Sequence, residues 1–416
     1  MRRKVTCHAL LMCTVLANTT GPTMSEDNPP GLERAAWQLV DPFIESTRRM
    51  VEIESPSLDD AGLLAMQKEL SRQVVVQGGE IELIPATKGP GNNLIARWKG
   101  KGKTNVLLVG HMDTVYPSGI LQTFPFRQEA GRIYGPGVLD DKGGIAMALM
   151  AVRLLREAGR DNFGMVTLLA TTDEEKQSAG SKDLIRSMAK ESDVAFILEF
   201  GTPDDRIVLS RKGIGYFRIE VTGKAAHAGA EPEKGCNAVA EIAYQIVQMR
   251  QLERIELDTS FNFTLLSGGE RSNIIPAEAK AQADVRVLRP GEFDRLEEEA
   301  AQLAKVSKLF PCSVVHTSLE RGRPPFPLTE ETGRLVERAQ SIYREIGMDL
   351  RTEASGAGTD GNYTSAAGTT TLDGLGPVGG GAHTAGAEYV EEALIAPRIY
   401  LLARLIEDVS RPPASK

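Results

Sequence analysis

Only five histidines and four cysteines occur in the 416 residues, and each scarcity narrows the chemistry. Cys7, Cys13, Cys236 and Cys312 show no CxxC spacing, so neither a disulfide framework nor a cysteine zinc site is expected. Basic residues are outnumbered, 48 Lys and Arg against 56 Asp and Glu, which leaves a formal charge of -8. A surface of that sign gains nothing from nucleic acid or an anionic membrane, and both are excluded as general partners. No apolar run is long enough to cross a bilayer as a helix. The glycine-rich stretches Ser355–Asp360 and Gly374–Gly381 lack the glycine-lysine signature of a phosphate-cradling loop. There is no internal repeat.

What is present is ordinary in bulk, 41% hydrophobic and 25% charged, as in globular proteins. The length exceeds what one core serves, so two domains are expected. Residues 1–23 stand apart. Met1-Arg2-Arg3-Lys4 and the short apolar run Ala9–Ala17 read either as a secretory signal or as a mis-assigned start ahead of Met24. A cytoplasmic location is expected, or a periplasmic or secreted one if residues 1–17 are cleaved.

Val106 to Val109 is an apolar strand that stops abruptly at His111-Met112-Asp113. Residues two apart in an extended segment share a side, so Asp113 can orient His111 through the ring nitrogen that faces away from a cavity. Further strands are expected over Glu80–Pro85, Asn93–Trp98, Met165–Thr172 and Asp193–Phe200, with helices over Leu63–Val76 and Ile145–Ala158. This alternation implies an α/β fold whose active edge lies at the strand ends. After Gly213 the order becomes strand, helix, two strands, helix, strand, ending near Leu319. That βαββαβ order is a ferredoxin-like unit inserted into the larger domain. The expected division is 24–212 for the first part of the catalytic domain, 213–324 for the insertion and 325–416 for the second part. Helices over Thr329–Gly347 and Ile395–Val409 close the chain.

His8 and His316 read as incidental. His111, Asp140, Glu175, Glu199 and His383 instead form a nitrogen and oxygen donor set without sulfur. Such a set suits two divalent ions, zinc or else cobalt or manganese, with one carboxylate bridging. Glu174, beside a ligand, is left free as a general base.

The segments His111-Met112-Asp113-Thr114-Val115, Gly135 through Gly144, Thr172-Asp173-Glu174-Glu175, and His383 with Ala387-Glu388-Tyr389-Val390 resemble the M20 family of metallopeptidases. The likeness runs from about residue 35 to the C-terminus. It implies a mixed-sheet zinc-exopeptidase domain, a homodimer formed through the insertion, and two zinc ions bridged by Asp140. Glu175 and His383 would complete one site, His111 and Glu199 the other, with a cis peptide between Asp140 and Asp141. It also implies that Asp113 supports the ligands, that Glu174 is the base, and that His227 in Lys224–Gly229 reaches the partner's site to stabilise an oxyanion. Asn273 and Arg286 match positions that hold a substrate α-carboxylate, and Gly358 one that lies against substrate. Arg206 and Arg323 match basic positions of a glutamate-releasing member. The implied activity is cleavage of the amide before a C-terminal amino acid, chiefly glutamate, in N-acyl amino acids, peptides or folate-like compounds. The alternatives are an aminoacylase, dipeptidase or deacylase of the same design, and a silent binding protein. The full set of ligand and base residues argues against the last.

Overall fold

The computed structural model describes residues 31–411. The signal or start segment expected over residues 1–23 lies outside the described residues. Six strands form the central sheet, in the order Glu80–Pro85, Asn92–Lys99, Met165–Thr171, Asn105–His111, Val194–Ile197 and Thr370–Leu372. The last four run parallel, Asn92–Lys99 joins them antiparallel, and Glu80–Pro85 pairs antiparallel with Asn92–Lys99 at the edge.

The period of two in these strands divides them between two cores. Val106, Leu108, Val166, Leu168, Val194 and Phe196 enter the larger core, beneath the helices Lys142–Glu157 and Ile395–Val409. Leu107, Val109, Leu169, Ala195 and Ile197 enter the smaller one with Ile185 and Tyr363, from the helices Lys182–Lys190 and Gly361–Ala366. Burial on both faces explains why these segments read as almost unbroken apolar runs. It also aligns their carboxyl ends. His111 closes one strand, while Glu174-Glu175 and Glu199 each follow within a few residues of another.

Between Gly213 and Arg321 the chain forms a separate antiparallel sheet, in the order Ser260–Gly268, Glu278–Val287, Gly213–Thr222 and Val314–Arg321. The helices Ala238–Met249 and Glu292–Val306 complete the expected βαββαβ order. Phe217, Ile219, Ile242, Phe261, Val285 and Leu296 belong to a core of its own. Two features were not anticipated: the parallel pair Arg206–Arg211 with Arg351–Ser355, and a small sheet that includes Arg132–Tyr134 and Tyr389–Glu391. Such short strands give no periodicity to detect, and their partners are distant in sequence.

The cysteine expectation is corrected. Cys236 and Cys312 form a disulfide across 76 residues, with Cα atoms 6.2 Å apart. Spacing rules detect local motifs, whereas folding alone brings these two together. The bond ties the segment before the helix Ala238–Met249 to the segment after Glu292–Val306. Closing so long a loop restricts the unfolded chain, so Cys236→Ala/Cys312→Ala should lose about 2–4 kcal/mol of unfolding free energy. Denaturant titration with and without reductant checks this, and an unmoved midpoint would show the bond contributes nothing.

Candidate metal centre

Strand ends and loops bring the five expected donors to one place. His111 Nε2 lies 2.9 Å from Asp140 Oδ1 and 3.9 Å from Glu199 Oε1. His383 Nε2 lies 2.9 Å from Asp140 Oδ2 and 3.3 Å from Glu175 Oε1. Within each trio the candidate ligand atoms all fall within 4.8 Å of one another. Asp140 is the member common to both, turning one oxygen to each.

Neighbouring groups set these orientations. His111 Nδ1 is 2.9 Å from the backbone oxygen of Asp113, which can only accept, so a hydrogen sits on Nδ1 and Nε2 is the ring nitrogen turned to the cluster, where it gives a proton to Asp140 or, once deprotonated, a lone pair to a metal ion. The Asp113 carboxylate lies 3.3 Å from the same Nδ1 and accepts from the N–H groups of Glu174 and Glu175 at 3.1 and 3.3 Å. One side chain therefore supports both a ligand ring and the acidic turn. The Asp140-Asp141 peptide is cis. Asp141 is wholly buried and accepts from the N–H of His111 at 3.2 Å. A Cβ on Gly144 would fall 1.9 Å from Asp141 Oδ1, so only glycine permits this approach.

Burial and neighbouring charge set the protonation of these groups. Burial, with repulsion from Asp140, pushes Glu199 well above the usual carboxylate range. Burial also opposes ionisation of Asp140, but hydrogen bonds from His111 and His383 overcome it and hold its carboxyl low. His383 is raised to about 10, first by its hydrogen bond with Asp140. Glu175 Oε1 is buried without a hydrogen bond, and so has an electron pair to give. Imidazole and carboxylate donors gathered on one shared carboxylate, with an acceptor left free, fit divalent metal ions.

The family comparison agrees with the geometry. Residues 107–408 match the model of Peptidase family M20/M25/M40. The chain belongs to this family. It is 37% identical over 409 residues to carboxypeptidase G2 of Pseudomonas sp. (strain RS-16), a match covering 97% of this chain and 98% of that one. The aminopeptidase PepT of Bacillus cereus ATCC 10987 shares the fold at a TM-score of 0.77 and 24% identity, over 90% of this chain and 99% of its own. A dinuclear metal binding peptidase from the M20 family of Bacillus subtilis does so at 0.64 and 15%, with coverage of 90% and 99%. The protein is thus an M20 metallopeptidase or amidohydrolase, and the double trio is its candidate metal site.

Around this M20 centre the remaining expected residues divide. Glu174 is buried and pushed up to about 8 by loss of solvent, against the pull of Arg323. Arg323 does not present free donors to a substrate. Its Nη2 donates to Glu174 Oε1 at 2.6 Å and to the Glu174 backbone oxygen at 2.9 Å, while Nη1 donates to Asp360 at 3.1 Å. A Cβ on Gly358 would lie 2.7 Å from Arg323 Cδ, so that glycine admits the arginine. Arg286 is held in a fork by Asp284 and donates to the Gly356 oxygen at 3.2 Å, beside the same loop. The Arg206 side chain pairs with Asp204 at 2.8 Å, and among the described residues it makes no hydrogen bond or ion pair with the five donors. His227 and Asn273 are exposed on the insertion, where the backbone oxygen of Asn273 accepts from the N–H of Ala228. His227 Nδ1 accepts from the N–H groups of Gly229 and Ala230 at 3.2 and 3.0 Å, which leaves Nε2–H as an outward donor.

Several supporting groups escaped sequence reasoning. Asp360 receives Arg323, Thr171 Oγ1 and the Ser178 hydroxyl. Arg211 and Asp373 form a buried fork at 2.6 and 3.0 Å. Glu388 accepts from Tyr116 Oη at 2.6 Å and from the N–H groups of Leu139, Asp140 and Gly137 at 2.9, 3.1 and 3.3 Å. It stood inside a quoted motif, but nothing local shows that it folds back beneath Asp140. Glu388→Ala strands those buried donors at about 1–3 kcal/mol for each group left unpaired. Chemical denaturation should show a loss of several kcal/mol, with Glu388→Gln milder; a near-neutral alanine variant would mean the loop holds itself.

Proposed function

We propose that the protein hydrolyses the amide bond before a C-terminal amino acid, using two divalent ions held by His111, Asp140, Glu175, Glu199 and His383. The observation that carries this reading is the shared Asp140, one oxygen to each donor trio, with Glu174 fixed beside it. When bound, zinc ions supply Lewis-acid polarisation of the scissile carbonyl and acidify water. Glu174 takes the proton of the attacking water and returns it to the leaving amine nitrogen. Arg323, supported by Asp360, holds Glu174 in place for both transfers. Arg286 stands where a substrate carboxylate would be met at the rim.

Assembly as a homodimer through the insertion belongs to the same proposal. The strand Ser260–Gly268 is an open sheet edge, with Leu265 and Leu266 each 61% exposed. Exposed edges of this kind invite pairing with another strand. His227, with Nε2–H directed outward, would then serve the partner's oxyanion. The Cys236–Cys312 bond supports the periplasmic or secreted location over the cytoplasmic one, since disulfides persist mainly in oxidising compartments.

Glutamate is the first side chain to test. A second reading, an aminoacylase or dipeptidase with broader preference, is favoured by the engagement of both Arg206 and Arg323 elsewhere. Turnover of N-acyl-glutamate beside N-acyl-leucine separates the two: a glutamate preference of at least about tenfold, or 1.4 kcal/mol, supports the first, and parity the second.

Glu174→Ala should lower kcat by about 10²–10⁴ while bound metal stays near that of the parent. Activity kept in that variant would remove the proposed base. Mixing Glu174→Ala with His227→Ala subunits should restore part of the turnover if the histidine acts across a dimer, and no rescue assigns it to its own chain.

A further inference from the structure

A cleft of about 570 Å³, lined by none of the five donors, lies at the connection that returns from the inserted unit to the main sheet. One wall is the helix Lys182–Lys190 with the end of Gly361–Ala366. The other is the turn that carries Pro290 and Phe293, together with the returning segment that carries Pro324 and Pro325. Its volume falls within the range of about 300–1,000 Å³ typical of small-molecule sites, which favour domain boundaries. The proline wall has little freedom to lose when a ligand settles against it.

The charge in this cleft is uneven. Lys182 and Arg186 stand four residues apart, on one face of their helix. Among the described residues the Lys182 ammonium has no carboxylate partner. Arg186 has only Asp183 at 3.5 Å, an exposed pair of slight strength. Its guanidinium carbon also lies 5.0 Å from the centre of the Tyr363 ring. The acid on the opposite wall, Asp294, is already taken by Arg321 at 2.8 Å. One unpaired cation and one weakly paired cation therefore stand on the wall of a chamber whose opposite side is built from Phe293 and prolines. A site of that kind selects a negative group on an apolar body.

We propose that this hinge cleft is a second binding site, separate from the metal centre, for a small aromatic or branched carboxylate. The carboxylate meets Lys182 and Arg186, and the apolar body packs on Phe293 and the prolines. Tyr363, which Arg186 touches, also meets Arg323 at 5.3 Å, so the occupied wall adjoins the side chain that holds Glu174.

The test reads binding without turnover, and so stands or falls apart from the hydrolytic reading. Para-fluorobenzoate is titrated into the full chain and followed by fluorine NMR. Saturable binding is expected, at least about tenfold weaker in Lys182→Ala/Arg186→Ala, a loss of at least 1.4 kcal/mol. Ser365→Trp, which fills the cleft, should also weaken it, whereas Arg286→Ala should leave it unchanged. The neutral para-fluorobenzyl alcohol should not compete. Three results overturn the proposal: no saturable signal at millimolar probe, affinity kept in the double variant, or affinity lost in Arg286→Ala, which would place the probe in the catalytic cleft.

Discussion

The structure depends on one carboxylate being held with its two oxygens directed apart. Asp140 can serve two donor trios only if it cannot rotate, and nothing in a single side-chain torsion ensures that. His111 and His383 fix it from the front, at 2.9 Å each. From behind, Glu388 accepts from the Asp140 N–H and from those of its neighbours Leu139 and Gly137, which ties down the backbone from which the carboxylate projects. Burying Glu388 pushes it up to about 7, a cost that its hydrogen bonds with Tyr116 and the backbone offset.

The same logic spreads outward as alternating layers of charge. Asp113 supports His111 and the Glu174-Glu175 turn together, and Arg323 balances Glu174 on the far side. Asp360 balances Arg323, and its own oxygens are met by hydroxyls of Thr171 and Ser178. Thr359, next in sequence, donates to Asp373, which is forked by Arg211. Buried charges survive only when paired in this way, and removing one partner exposes the next. The arrangement therefore favours a site that is rigid before substrate arrives.

The sequence made much of this legible because parallel strands buried on both faces leave an unmistakable pattern. Each apolar run ended in a charged residue, and charge at a strand end has few bland explanations once several coincide. The insertion was equally readable, since the four strands of its main sheet and its two α-helices each persist for eight residues or more. What escaped notice has a common physical cause. Asp373, Arg211 and Glu388 matter through partners 162 or more residues away, and Asp360 through Arg323 at 37 residues and Thr171 at 189; local periodicity carries no such information. The cysteine pair failed for the same reason. Arg323 was legible as a cation near the site, but which anion it would choose was not.

That choice bears on how the two units cooperate. Arg323 lies just past the last strand of the insertion, so the chain that returns to the main sheet carries the counter-ion of Glu174, the proposed base. Arg286, on the insertion's own sheet, reaches back to the Gly356 oxygen in the loop that makes room for Arg323. A rotation of the insertion would shift both guanidinium groups relative to Glu174, because Arg286 lies on the insertion's sheet and Arg323 just past its last strand, whereas the five donors all lie outside the insertion. The five donors can then stay fixed while the two guanidinium groups, proposed to govern Glu174 and to meet the substrate, move as a unit. Separating those duties between a rigid sheet and a jointed insertion gives the architecture a way to couple substrate capture to the protonation chemistry without disturbing Asp140.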